Sequence, residues 1–254
     1  MFKVGIENLD QHLDLFKGKK VGLITNPTGI NRELKSTIDI LREKTELVAL
    51  YAPEHGVRGD LQAGVRLETY QDEKTGCMVY SLYGKDKKPS YDMLKDIDVL
   101  CFDIQDVGAR FYTFLYTMAY AMMAAKEFGK KFVVFDRPNP VGGVEVEGNL
   151  LDLNYRSFVG YYPIVERYGL TIGELAYFFN TVYDINCDLT VVKMSGYTRD
   201  KDFDDLKQRI TSLIENSDNC KIFLSILNWF KKLLIEFTTE LVNSSFVENL
   251  WLLT

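Results

Sequence analysis

Short apolar, β-branched runs that alternate with segments of helical period restrict the fold of this chain more than any other feature. The runs are 20–25 (KVGLIT), 47–52 (LVALYA), 78–83 (MVYSLY), 99–104 (VLCFDI), 132–136 (FVVFD) and 189–194 (LTVVKM). Helical periodicity falls at 9–16, 36–44, 91–97, 111–128 and 172–182. Ser36, Ser90 and Thr171 precede three of these segments as start signals, and Glu174 three residues after Thr171 completes a capping-box pattern. Strands that are apolar on both faces and separated by helices predict a mostly parallel sheet covered on both sides, an α/β doubly wound architecture.

Composition narrows the function classes. With 254 residues, 46% of them apolar, the chain can build a core without disulfides. A net charge of −6 argues against a nucleic-acid partner. The cysteines at 77, 101, 187 and 220 form no C-x-x-C pair, and His12 and His55 are the only histidines, so no metal site is expected. No apolar h-region marks the N-terminus as a signal peptide, which gives a cytoplasmic expectation. Segments 111–125 and 221–237 are too short or too charged for the ~20 apolar residues of a membrane span.

The composition changes near residue 200. All 18 glycines and all 6 prolines lie at or before Gly196, whereas usual usage would place roughly seven in the remainder. Helices are expected at 203–215 and 222–241. The second is open to two readings, a packed amphipathic helix or a membrane-surface one. The tail as a whole reads as a helical appendage or as the product of a truncated or shifted reading frame.

In an open parallel sheet, ligands bind beyond the carboxyl ends of the strands. Asn26-Pro27-Thr28-Gly29 follows the first run, Pro53-Glu54-His55-Gly56-Val57-Arg58-Gly59-Asp60 the second and Gly84-Lys85 the third. The fourth ends in Asp103-Ile104-Gln105-Asp106 and continues to Arg110-Phe111-Tyr112; the fifth ends in Asp136-Arg137-Pro138-Asn139-Pro140. Five successive ends thus carry polar and ionisable groups, while the opposite ends carry ordinary Lys and Glu.

Glu54 leads the candidates, because a carboxyl group at a strand end suits general acid or base work; the competing reading is a solvated turn glutamate. His55 reads as a second acid–base group or as a hydrogen-bonded structural histidine, and Arg58 as a neighbouring cation that sets proton affinity. Asp103 and Asp106, flanking Gln105, suit a divalent cation, substrate hydroxyls or the cap of the helix near Phe111. Arg110 suits a bidentate carboxylate contact, or a pair with Asp103 or Asp106. The segment holding Arg137 and Asn139 either ends a strand or presents polar groups to a ligand. Tyr112, Tyr116 and Tyr120 recur at helical spacing, which favours core packing over a sugar platform. No G-x-G-x-x-G, P-loop or G-x-S-x-G motif occurs, so no cofactor is expected and carboxylate-driven hydrolysis of a polar substrate is the simplest chemistry.

At these residues the chain resembles a known family. The blocks VGLITNPTGI, LVALYAPEHGVRGDLQAG, DVLCFDIQDVGARFYTFLYTMAYAM, FVVFDRPNPVGG and RSFVGYYPIVERYGLTIGELA, in order from about residue 4 to residue 200, are similar to NamZ-type exo-β-N-acetylmuramidases, once described only as a domain of unknown function. The resemblance implies a Rossmann-like domain over 1–199, with 200–254 a divergent helical tail in place of the family's second domain. It implies release of N-acetylmuramic acid from peptidoglycan-derived muramic-acid saccharides, and it leaves a secreted or periplasmic location open. Glu54, with His55, takes the catalytic position of the PEHG block. Asn26, Arg58, Asp103, Gln105, Asp106, Arg110, Tyr112, Arg137 and Asn139 are the expected substrate-binding set. Oligomeric state is not implied.

Overall fold

The computed structural model describes residues 2–54, 56–59, 68–84 and 87–201. The expectations for His55, Asp60, Lys85, Cys220 and the helices at 203–215 and 222–241 lie outside the described residues.

Seven strands form one sheet: β1 (Lys20–Thr25), β2 (Glu46–Ala52), β3 (Tyr70–Gln71), β4 (Met78–Ser81), β5 (Val99–Asp103), β6 (Lys131–Phe135) and β7 (Asp188–Val192). Their order is β3-β4-β2-β1-β5-β6-β7, and every pairing is parallel except β3 with β4. The chain reverses direction across the sheet between β1 and β5, the switch point of a doubly wound fold. The six expected runs are these six parallel strands. β3 was not expected, because two residues against a turn carry no periodicity.

Among the described residues four α-helices connect them: α1 (Thr37–Lys44), α2 (Tyr91–Leu94), α3 (Phe114–Glu127) and α4 (Ile172–Val182). Two of the three start signals form, whereas the Ser90 side chain makes no cap at α2. Ser36 accepts a hydrogen bond from the Asp39 amide, and Thr171 and Glu174 close a reciprocal capping box at α4. The helix expected at 9–16 is instead a 3₁₀ segment, Gly5–Leu15, broken at His12 with φ of −128°. α3 starts three residues later than its periodicity suggests, because the Arg110 amide is engaged by the Glu166 carbonyl in a strand-like bridge region.

Alternation along the strands sorts the core into two faces. Val21, Leu23, Leu50, Val99, Cys101, Val133 and Phe135 pack with Ile6 and Leu9 of the 3₁₀ segment and Ile38 and Leu41 of α1. Tyr51 turns to the other face, where its hydroxyl donates to the Met93 carbonyl of α2 at 2.6 Å. α3 packs on α4 and β6 with ten of its residues buried. Cys77, Cys101 and Cys187 are free buried thiols, as small apolar residues in a core are. Among the described residues no helix is long and apolar enough to cross a membrane.

Candidate active site

Because β4, β2, β1, β5, β6 and β7 run parallel, the loops that follow them emerge on one rim. Thr25 at the end of β1 lies in register with Asp103 at the end of β5, and Ala52 of β2 with Ser81 of β4. Glu54, two residues past β2, therefore stands on the same edge as Asn26, Asp103, Gln105, Asp106 and Asn139.

The switch-point crevice is cross-braced. The Thr25 hydroxyl donates to the Asp103 carbonyl at 2.8 Å, and the Asn26 side-chain oxygen accepts from both the amide and the hydroxyl of Thr28, at 3.0 and 2.5 Å. The Thr28 hydroxyl in turn accepts the Gln105 amide at 2.9 Å. Gly29 fits only without a side chain, since a Cβ there would stand 2.2 Å from the Thr25 hydroxyl oxygen. Gln105 spans β5 to β6 by donating to the carbonyls of Asp106 and Pro138.

Asp103 is fully buried. Arg137, itself 5% exposed, reaches its two carboxylate oxygens through Nε and Nη2 at 2.5 and 2.9 Å, and the Thr37 hydroxyl also donates to it. Arg137 donates further to the Ile30 carbonyl at 2.9 Å. These two residues pair with each other and fasten β5, β6, α1 and the loop after β1. Neither presents its charge to the solvent side of the rim.

Asp106 is buried as well, so the structure takes it away from the helix-cap position that its sequence location suggests. One carboxylate oxygen accepts the Gly108 amide at 3.0 Å and the Tyr168 hydroxyl, and the other has no partner among the described residues. Burial pushes its carboxyl upward against the pull of those donors, and burial with the adjacent Asp106 carboxyl raises Tyr168. The N-cap position of α3 is instead Thr113. Gly108, with φ of +88°, lets the turn pass Asn139, whose side-chain oxygen would lie 2.2 Å from any Cβ.

Arg110 pairs with neither aspartate. It donates to the carbonyls of Asn149 and Ile164 and lies 3.4 Å from Glu166, which pins the long 141–171 connection to the rim. Asn139 holds the same connection, donating to the Leu170 carbonyl and accepting the Val141 amide. Arg58 makes a bidentate pair with Asp72, at 2.7 and 2.8 Å, and holds that carboxyl down at about 2. It therefore faces the β3–β4 turn and not Glu54. The strand-end Asp136 accepts the amides of Arg137 and Gly173, the latter in the first turn of α4, yet burial still pushes it up to about 6. Among the described residues, no group of three or more His, Cys, Asp or Glu side chains could hold a metal ion.

Glu54 differs from both aspartates in being half-buried rather than closed off. The Thr113 hydroxyl at the start of α3 donates to its Oε2 at 3.2 Å. Tyr83 faces the same carboxylate, whose hydrogen bonding and charge, with burial, raise the tyrosine's pKa. One hydroxyl thus orients an open carboxyl group that a second, from another element, faces. The sequence expectation ran β4 on to Tyr83, but Ser81 turns the chain by exchanging hydrogen bonds with the Tyr83 backbone, and this releases the ring toward Glu54. Thr113 follows Tyr112 in a block already singled out, and a hydroxyl before a helix start was the available signal. Of the tyrosine series, Tyr116 is core, whereas Tyr112 and Tyr120 are half-buried.

Comparison with known proteins gives consistent matches. Residues 21–220 match the family described as exo-beta-N-acetylmuramidase NamZ, N-terminal. The peptidoglycan beta-N-acetylmuramidase NamZ of Bacillus subtilis (strain 168) is 58% identical over 208 residues, covering 81% of this chain and 50% of that protein. Crystal structures of two DUF1343 family proteins from Bacteroides fragilis NCTC 9343 superpose with TM-scores of 0.75 and 0.70, at 51% and 37% identity. They cover 82% and 79% of this chain and 53% and 54% of theirs, so the chain spans about half the length of the relatives it matches.

Proposed function

This chain belongs to the N-terminal family of exo-β-N-acetylmuramidases, and on that premise we propose that it acts in glycoside hydrolysis, releasing N-acetylmuramic acid from the non-reducing ends of peptidoglycan fragments, with Glu54 as its acid–base group. The observation that carries the reading is the state of Glu54. It is the one half-open carboxyl group of the three expected on the rim, held by Thr113 and faced by Tyr83. The name of the Bacillus subtilis relative supports the substrate class. Positioned carboxyl catalysis of this kind contributes on the order of 10²–10⁴-fold.

In this reading the expected binding residues divide by task. Arg137, Asp103, Arg110, Asn139 and Gln105 keep the rim rigid, while Tyr83, which the sequence did not single out, faces Glu54. Glycosidases work with two carboxyl groups, separated by roughly 5 Å or 6.5–9.5 Å. Asp103 is spent on Arg137 and Asp106 is closed off from solvent, so in this reading the second carboxyl group comes from outside the described residues of the rim. We place the boundary of the catalytic half at about residue 199.

The same closure of Asp103 and Asp106 favours a second reading, a chain that binds the sugar without turning it over. A chromogenic N-acetylmuramide separates the two. Release by the folded protein that falls at least about 10²-fold in Glu54→Gln, with an unchanged melting temperature, supports hydrolysis. Binding without release supports the second reading, and release that survives the substitution removes Glu54 from the chemistry.

A further inference from the structure

An array of aromatic rings leads away from Glu54. The Tyr83 ring stands 6.4 Å from Phe158, Phe158 stacks on Tyr120 at 5.9 Å, and Tyr120 meets Tyr161 at 5.1 Å. These rings come from the loop after β4, from α3 and from the 141–171 connection, and all four are half-buried. Three of them carry hydroxyl tips, and half-buried rings of this kind offer an apolar surface and a wet edge, which matches the C–H face and hydroxyl rim of a pyranose.

Two cations rest on this array. The Lys87 ammonium lies 4.6 Å from the centre of Phe158, and the Arg156 guanidinium 4.7 Å from the centre of Tyr161. Arg156 is exceptional in its partners. Six of the described arginines pair with carboxylates and Arg42 donates to the Lys74 carbonyl, whereas among the described residues the Arg156 guanidinium has only a ring. An exposed cation–ring contact is weaker than a charge-assisted hydrogen bond to a carboxylate. Both cations can therefore leave their rings for an incoming acid at little cost.

We propose that Arg156 and Lys87 form a subsite for a carboxylate carried by the saccharide whose ring lies along Tyr83, Phe158 and Tyr120. The proposal rests on the glycosidase reading and adds to it the group that is recognised. On a muramic sugar the carboxylate has two sources, the lactyl ether on the ring or an acidic residue of an attached peptide. Net charge on the chain is negative, so attraction of an acid must come from such a local cluster.

Calorimetric titration of the full chain tests this with three probes: N-acetylmuramic acid, N-acetylglucosamine, and N-acetylmuramoyl-L-alanyl-D-isoglutamine, whose lactyl carboxyl is consumed in an amide. Wild-type protein should bind at least one acidic probe about tenfold or more tighter than N-acetylglucosamine, and Arg156→Met with Lys87→Met should erase that preference without changing N-acetylglucosamine binding. Preference for the monosaccharide acid alone assigns the lactyl group, and preference that persists in the dipeptide assigns the peptide. A preference that survives both substitutions, or wild-type protein with no preference for either acid, overturns the subsite. Turnover of a chromogenic muramide is scored separately. Preference without turnover removes the hydrolase reading and leaves the subsite, and turnover without preference does the reverse.

Discussion

Replacing Arg137 by methionine tests the brace beneath the rim. Methionine keeps most of the side chain's length and volume but removes the charge, so the perturbation is largely electrostatic. Asp103, with no exposed surface, would lose both guanidinium contacts and keep only the Thr37 hydroxyl. Breaking one side of a buried pair costs about 3–5 kcal/mol, because a charge is left in a medium that cannot solvate it. Domains of this kind have about 5–15 kcal/mol in total, so the loss is a large fraction of the whole. For a chain of this size it corresponds to a fall of about 6–20 °C in melting temperature. Urea unfolding followed by far-ultraviolet circular dichroism reads the change, and adding Asp103→Asn completes a double-mutant cycle. The double variant should lose less than the sum of the singles by up to about 3 kcal/mol, since no unpaired charge then remains. A loss below about 1 kcal/mol in Arg137→Met, or strict additivity in the cycle, would refute the claim that this pair fastens the strand ends.

Three further outcomes follow from the same geometry. Asp136 is raised from the usual carboxylate range to about 6, so the folded state holds its proton where the unfolded state has lost it; stability should fall by up to about 3 kcal/mol between pH 4 and pH 6 and then level off. Asp136→Asn should flatten that slope in pH-dependent urea titrations, and an unchanged slope would assign it to other groups. Gly108→Ala forces a Cβ to within 2.2 Å of the Asn139 side-chain oxygen at a φ of +88°, and should cost more than about 2 kcal/mol by thermal melting, whereas a neutral result would mean that the turn adjusts freely. Thr171→Ala removes the capping box of α4 and should cost about 1 kcal/mol, with Thr171→Ser restoring most of it.

The sheet was legible because its strands are apolar on both faces and stop at clusters of Asn, Pro, Gly and acidic residues. That pattern gave all six parallel strands and, through the parallel order, the common rim on which Glu54 stands. The division of labour on the rim was not legible. Asp103 meets Arg137 across 34 residues, and Arg110 meets Glu166 across 56, so local sequence gave no sign that these charges are spent on each other rather than on a ligand. Arg58 was read with its neighbour Glu54, yet it pairs with Asp72 across a turn whose two-residue strand has no pattern of its own. Tyr83 was hidden by a strand end set two residues too far. The aromatic array was hidden because its rings come from three segments and only the path of the 141–171 connection brings them together.

In the proposed function, the strand-end loops around Glu54 make the sugar pocket. Amide chemical-shift mapping of the isotope-labelled protein, titrated to saturation with N-acetylmuramic acid, tests it most directly. The largest shifts should fall in the loops following β1, β2, β4 and β5, with Glu54, Tyr83, Gln105 and Thr113 among them. Shifts centred instead on the opposite edge, around Lys20, Glu46, Lys131 and Asp188, would contradict it, as would saturation that leaves the Glu54 loop unmoved.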